Sequence, residues 1–166
     1  MTHKYTVFDT EFGWMAIVGS ELGLCKLTLP QPAADKALTL IADYMTKAVA
    51  GTSSFRDLIE RLELYFRGDY IDFPDDLDLR GSTAFQRDVW ELTCSIPYGK
   101  TRTYKWVATE MGRPGSLRAV GQALARNPLP IIIPCHRVIG SSGSIGGFSG
   151  GLDMKKRLIT LESISK

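Results

Sequence analysis

The residues best suited to covalent chemistry stand together in Pro134-Cys135-His136-Arg137. A thiolate is a strong nucleophile, but a free thiol, with a pKa of about 8.5, is little ionised at neutral pH. It needs a base or a positive neighbour, and His136 and Arg137 offer one of each. A histidine base works better when a carboxylate fixes its tautomer, and Glu162, near the end of a C-terminal helical pattern, can do so. On extended backbone adjacent side chains point opposite ways, so His136 is expected to reach the sulfur through a water. A buried structural cysteine beside a histidine is a commoner arrangement than a nucleophile, so the pair alone decides nothing. Cys25 and Cys94 read as such core cysteines: Cys25 sits between Leu24 and Leu27 in a strand pattern, and Cys94 lies one turn after Trp90. Three cysteines without regular spacing do not make a disulfide framework. With no C-x-x-C pair, and only His3 and His136 as histidines, no metal site and no cofactor are expected.

Something must hold Cys135 in place. The apolar run Leu129-Pro130-Ile131-Ile132-Ile133-Pro134 is too short for a buried helix and reads as a buried, strand-like segment. After Cys135, residues 140–151 hold six glycines and four serines, a loop able to bring backbone close to a flat ligand. The pocket between run and loop is expected to be close-packed. Asp153 can cap a last helix with Met154, Leu158 and Leu161 facing inward. Upstream, Ser82 or Thr83 can cap a helix carrying Phe85, Val89, Trp90 and Leu92, which Pro97-Tyr98-Gly99 breaks. A helix from Thr103 to Met111, the turn Gly112-Arg113-Pro114-Gly115, and a helix from a Ser116 cap to about Arg126 make a helix-turn-helix pattern. At 100° per residue Leu117, Val120 and Leu124 share the core side of that second helix. Its other side collects Arg118, Gln122 and Arg126 among small Ala119 and Ala125. Few long polar side chains stand there to read base edges, so the face suits a minor groove better than a major one.

The first half has another character. Tyr5–Phe8, Trp14–Val18 and Leu24–Leu29 read as strands of an antiparallel meander, Ala33–Val49 as a helix, and Ser54–Phe66 as a second helix with Phe55, Leu58, Leu62 and Tyr65 on one side. The acidic stretch from Ile71 to Gly81 reads as the linker. The expected fold is α+β: a small antiparallel-sheet and helix domain over residues 1–75, serving as structural support, then a mainly helical domain over 76–166 with the helix-turn-helix. Residues 1–80 hold 8 Lys/Arg against 13 Asp/Glu, and residues 81–166 hold 12 against 5. A basic half suggests a polyanion partner, although an unevenly charged solvated surface would look the same. No apolar run approaches the ~20 residues of a membrane span, and no signal segment follows Met1. A cytoplasmic protein with no membrane partner is expected.

Several motifs occur in one order: Phe85-Gln86-Arg87-Asp88-Val89-Trp90, Ile96-Pro97-Tyr98-Gly99-Lys100-Thr101, Arg118-Ala119-Val120-Gly121, Asn127-Pro128, Pro134-Cys135-His136-Arg137-Val138-Ile139-Gly140 and Phe148-Ser149-Gly150-Gly151. Together they closely resemble the O6-alkylguanine-DNA alkyltransferases, over residues 82–163 strongly and more loosely before that, where Tyr65-Phe66-Arg67-Gly68 fits. The resemblance implies direct reversal of DNA alkylation, with Cys135 as the permanent acceptor. It implies that His136 takes the thiol proton through a water, that Glu162 orients His136, and that Asn127 braces the turn beneath. Tyr104 would meet the flipped guanine and Arg118 would fill the hole that the base leaves. Thr103, Tyr104, Ala119, Gly121, Gln122 and Arg126 would line the DNA. Val138, Phe148, Ser149 and Gly150 would form the base pocket, with Phe148 standing where many relatives carry Tyr. The implied partner is double-stranded DNA carrying O6-alkylguanine, bound by a monomer. Cooperative binding and action on O4-alkylthymine are left open.

Elementary chemistry agrees. An alkyl group inside a duplex is out of reach of a thiolate, so the nucleotide must leave the stack. The thioether product has no activated leaving group, so each chain should act once. Two other readings compete: a helix-turn-helix regulator or lesion sensor, which has no use for the thiol, and a turnover cysteine hydrolase, which leaves the basic helix unexplained.

Overall fold

The computed structural model describes residues 1–148 and 150–164. The chain forms two compact units that divide at Arg80/Gly81. In the first, alternation and two-residue turns produce the expected meander. Strands β1 (His3–Thr10), β2 (Gly13–Ser20) and β3 (Gly23–Leu27) pair antiparallel in sequence. The sheet is nevertheless mixed, because β4 (Ala48–Ala50) joins the free edge of β1 in parallel, giving the order β3-β2-β1-β4. The single helix expected over Ala33–Val49 is therefore two short ones, α1 (Ala34–Thr39) and α2 (Ala42–Met45), followed by that strand. Its periodicity was real as far as Met45: Ala37 and Ile41 are buried against Ala16, Val18 and Cys25, with Tyr44 and Met45 beside them. Beyond Met45 the unpaired edge of β1 claims the backbone, and Gly51 N continues the ladder onto Tyr5 O. Helix α3 (Arg56–Phe66) buries Leu58, Leu62 and Tyr65 as their spacing predicts, with Phe55 just ahead of it.

The acidic stretch expected as a linker is docked on this first unit. Leu24 N donates to Asp76 O and Asp78 N donates to Leu24 O, both at 2.8 Å, so residues 76–78 extend the edge of β3. Arg61 grips the Asp75 carboxylate with two nitrogens, at 2.8 and 2.7 Å. Gly23 permits this approach: at φ +142° it sits so close to Asp76 O that a Cβ would overlap it.

The second unit is built around the helix-turn-helix. Helix α4 (Ala84–Cys94) opens on a capping box, with Gln86 N donating to Thr83 Oγ1 and Thr83 N to Gln86 Oε1. A two-residue strand β5 (Arg102–Thr103) leads into α5 (Tyr104–Glu110), whose first turn Thr103 caps through Trp106 N. Helix α6 (Leu117–Ala125) follows, and buried Trp90 Nε1 donates to Ala123 O across the α4–α6 contact at 2.9 Å. Val120 and Leu124 are buried as expected, but Leu117 is 44% exposed. At the first position of α6 it projects beyond the packed stripe, which Ala123 completes instead. Ser116 does not cap α6: its hydroxyl donates to Arg113 O. Cys94 is exposed rather than in the core.

The apolar run 129–134 is buried throughout but is a tight turn, not a strand. Ile133 N donates to Leu129 O, and Ile131 holds φ 77°, rare for a β-branched residue. Asn127 closes this turn from both sides: its Nδ2 donates to Ile133 O at 2.8 Å and its Oδ1 accepts from Leu129 N at 2.9 Å. Cys135–Arg137 is a single 3-10 turn, not extended chain, and β6 (Val138–Ile139) then pairs parallel with β5. In α7 (Leu152–Ser163) the capping position belongs to Gly151, at φ 92°, while Asp153 lies in the first turn. The inward side of α7 carries Leu158, Glu162 as expected and, unexpectedly, Lys155. Replacing Asn127 by Ala strips partners from a buried acceptor and a buried amide in the turn that presents Cys135. Each loss costs about 1–3 kcal/mol, so Asn127→Ala should lower the urea midpoint clearly. An unchanged midpoint would show that the turn holds itself.

Candidate active site

Cys135 sits at the floor of a cavity of about 750 Å3 within the second unit. Tyr104, Arg118, Gly121 and Phe148, all predicted from sequence, line it, as do Leu117, Leu124, Ala125, Ser141 and Gly147, which were not. The expected close packing around the sulfur is thus replaced by open space in front of it. Thr103, Ala119, Gln122, Arg126, Val138 and Gly150 lie outside the cavity lining. Thr103 instead caps α5, Gln122 is exposed on α6, and Arg126 is exposed just past its end. Ser149 lies outside the described residues.

Behind the sulfur stands a buried charged network. Cys135 is 6% exposed and His136 is fully buried. The Glu162 carboxylate accepts from His136 Nε2 at 2.7 Å, from Arg137 Nε at 2.9 Å, from Arg137 Nη2 at 3.0 Å and from Gly99 N at 3.3 Å. An ionised carboxylate only accepts, so the His136 proton sits on Nε2. Arg137, read from sequence as a neighbour for the thiol, points at Glu162 instead. The reason is the 3-10 turn, which directs residues 136 and 137 toward α7 together.

The electrostatics follow from this burial. Burial pushes the Cys135 thiol up, against the Asn127 side chain, the Lys155 charge and nearby backbone amides, which pull it down. The resting sulfur is therefore a thiol. Burial also pushes His136 below its ordinary value, against the pull of Glu162, so the ring is neutral and can accept a proton. Burial alone would raise Glu162, but the hydrogen bonds from His136 and Arg137 outweigh it and leave it at about 2.

Lys155 is the residue that sequence reasoning missed. It is buried, and its Nζ donates to Val138 O at 2.7 Å, to Gly147 O at 3.3 Å and to Tyr104 Oη at 3.4 Å. Its ammonium also faces the rings of Tyr104 and Phe148. Burial lowers it to about 8, opposed by the Cys135 charge. A lysine on the apolar side of a helical pattern was its only signal in the sequence. Gly146, at φ 73°, makes room for Tyr104: a Cβ there would lie 2.8 Å from Tyr104 Oη.

These shifts give stability a definite pH dependence. Glu162, held low in the fold, contributes stability above its unfolded value of 4.5 that is lost as pH falls toward about 2. His136, also held low, refuses below pH 6.5 a proton that the unfolded chain accepts, so it too lowers stability as pH falls. The Glu162 share is about 3 kcal/mol. Urea midpoints should therefore drop steeply between pH 5 and about 2.5 in the wild type, and the drop should be flatter in Glu162→Gln. Parallel curves for the two would place the acid sensitivity elsewhere.

Comparison with known proteins gives this geometry its relatives. The model of the 6-O-methylguanine DNA methyltransferase DNA-binding domain matches residues 84–164. A methylated-DNA–protein-cysteine methyltransferase of Methanosarcina barkeri is 42% identical over 158 residues, covering 95% of this chain and 96% of its own. One from Mycolicibacterium paratuberculosis is 40% identical over 96% of this chain and 92% of its own. The crystal structure of Mycobacterium tuberculosis OGT in complex with DNA superposes with a TM-score of 0.83 at 37% identity, covering 96% of this chain and 92% of that one. The chain belongs to the methylated-DNA–protein-cysteine methyltransferase family.

Proposed function

We propose that this protein repairs O6-alkylguanine in double-stranded DNA by moving the alkyl group onto Cys135, once per chain. The observation that carries this reading is a buried thiol at the floor of an apolar cavity, backed by a neutral histidine whose other role is fixed by Glu162. As the sulfur attacks the alkyl carbon, the S–C bond forms and the C–O6 bond breaks. The thiol proton leaves for His136, and the displaced guanine is protonated or hydrogen-bonded by Tyr104, the hydroxyl inside the cavity. Lys155 holds Tyr104, the Val138 carbonyl and the glycine loop around that space, and its charge favours the developing thiolate.

The cavity has room for a whole base, so the nucleotide enters it by flipping. Helix α6 approaches through the minor groove, its small residues Ala119 and Gly121 allowing close contact, and Arg118 at the cavity edge takes the vacated place in the stack. Gln122, exposed on α6, and Arg126, exposed just past its end, meet the backbone. The same displacement at O4-alkylthymine would need no additional group.

The direct test is intact mass after mixing with duplex carrying O6-methylguanine. One methyl should be gained per chain, on Cys135, and Cys135→Ser should gain none while still binding DNA. Repeated product release without consumption of the protein would instead favour a turnover hydrolase, and no gain at all a lesion sensor.

Arg118 has its own expected signature. Extruding a base costs a few kcal/mol, and a planar guanidinium can stack in the gap. Arg118→Ala should slow repair within a stable duplex much more than reaction with free O6-benzylguanine, and Arg118→Lys should only partly rescue. Equal mutant and wild-type rates on saturating duplex would reduce Arg118 to a phosphate contact.

A further inference from the structure

A buried imidazole 2.7 Å from a carboxylate would ordinarily hold a second proton, since the two then form an ion pair. Such a histidine could not take a proton from Cys135. The arrangement around Glu162 removes that difficulty. Arg137 already supplies the cation, its Nε donating to Oε2 and its Nη2 to Oε1 in a two-pronged contact. The guanidinium is itself held in place: Nη1 donates to Ile96 O at 2.7 Å, and the group lies 5.7 Å from the centre of the Tyr98 ring. A guanidinium is a planar, two-pronged donor suited to a carboxylate.

We propose that Arg137 is a positioning residue for alkyl transfer: by filling the cation's place at Glu162, it blunts the pull that works against burial, so that buried His136 stays neutral and able to receive the thiol proton. The idea rests on His136 being the base and adds what keeps it one. A buried carboxylate without a cation is very unfavourable. With Arg137 present the carboxylate is matched, and a proton on His136 would be a second, surplus positive charge in a closed space. With Arg137 absent, His136 is the nearest group able to supply the missing charge.

The other charged groups around His136 fit this division. From α7 come Glu162, which favours a proton on the ring, and Lys155, which opposes one. The turn itself brings Arg137, which also opposes it, and the Cys135 thiol. From α4, Cys94 lies within the fields of Arg137 and Glu91. Among these, Arg137 is the cation that touches the same carboxylate as His136.

The chain has two histidines, so nitrogen NMR of the imidazole rings can follow His136 with His3 as the other signal. In the wild type His136 should stay neutral to below pH 6.5. In Arg137→Met its protonation midpoint should rise by about one pH unit or more, and in Arg137→Lys by less. In the double variant Arg137→Met/Glu162→Gln the midpoint should fall again, which a mere loosening of the fold would not produce. Single-turnover methyl transfer by Arg137→Met should lose about tenfold at pH 6.5 for each unit by which the raised midpoint exceeds 6.5, and recover toward the wild-type rate near pH 9. An unmoved His136 midpoint in folded Arg137→Met, or a rate loss equal at every pH, would overturn the proposal. Should Arg137→Met not fold, Arg137→Gln, which keeps a hydrogen-bond donor but removes the charge, decides: a raised midpoint supports the proposal and an unmoved one overturns it. The ring titration involves no DNA and no transfer. It can therefore succeed where the alkyl-transfer reading fails, and the reverse.

Discussion

The second unit depends on one buried carboxylate. Glu162 accepts from four donors on three residues: the ring of His136 and the guanidinium of Arg137 in the 3-10 turn, and Gly99 N in the loop after α4. Pulling an ion out of water costs several kcal/mol after relaxation, and this one is offset only because each partner arrives with correct geometry. The constraint works in both directions. It fixes the end of α7 against the turn, and it fixes the turn so that Cys135 faces the cavity while His136 and Arg137 face inward. Gly99, at φ 75°, lets its loop come this close: a Cβ there would stand 3.1 Å from Glu162 O.

A second layer, made of hydrogen bonds to main-chain atoms, sets the cavity walls. Asn127 closes the turn before Cys135, and Lys155 gathers Val138 O, Gly147 O and Tyr104 Oη around one ammonium. The short β5–β6 pairing puts Thr103 beside Ile139, which carries the start of α5, and hence Tyr104, to the same wall. The contacts of Lys155 with Tyr104 and of Thr103 with Ile139 link residues far apart in the chain. The cavity is therefore a property of the folded unit, and no single segment carries it.

That is also why the sequence showed some of this and not the rest. Periodicity sees one element at a time. It found α3, α4, α5 and α6, the three-strand meander, and the cap at Thr83, because those depend on neighbours a few residues away. It missed β4, whose three residues are strand only because β1 offers an edge. It read 71–81 as a linker because acidic composition does not reveal that Arg61 and the edge of β3 are waiting for it. Leu117 went to the core by arithmetic, but the arithmetic knows nothing of where the neighbouring helix stops. The pairing of His136 with Glu162 was legible because both residue types suit one chemistry. The partnership of Arg137 with Glu162 was not, since the extended backbone assumed for residues 135–137 would have sent adjacent side chains opposite ways. Lys155 was the hardest to see: in sequence, a lysine on the inward side of a helix looks like a slightly misplaced surface residue.

A thiol held up by burial is an odd choice for a nucleophile, until the cost of a mistake is counted. In an enzyme that turns over, a cysteine lost to a stray electrophile or oxidant costs one active site among many cycles. On the chemistry proposed for this chain, it costs the whole protein, since each chain reacts once. A thiolate attacks whatever arrives; a buried thiol is far less reactive. On that chemistry, leaving the proton on Cys135 with a neutral base behind it would defer activation until a substrate fills the cavity and excludes water. Filling the cavity then strengthens the local electrostatics, because Lys155 and the backbone amides act on the sulfur through a less polar medium. The same burial that raises the thiol thus also makes the positive charge near it more effective when the thiolate forms. Selectivity and reactivity are set by one structural fact, the depth of Cys135, and the charged network behind it allows that depth without leaving the sulfur inert.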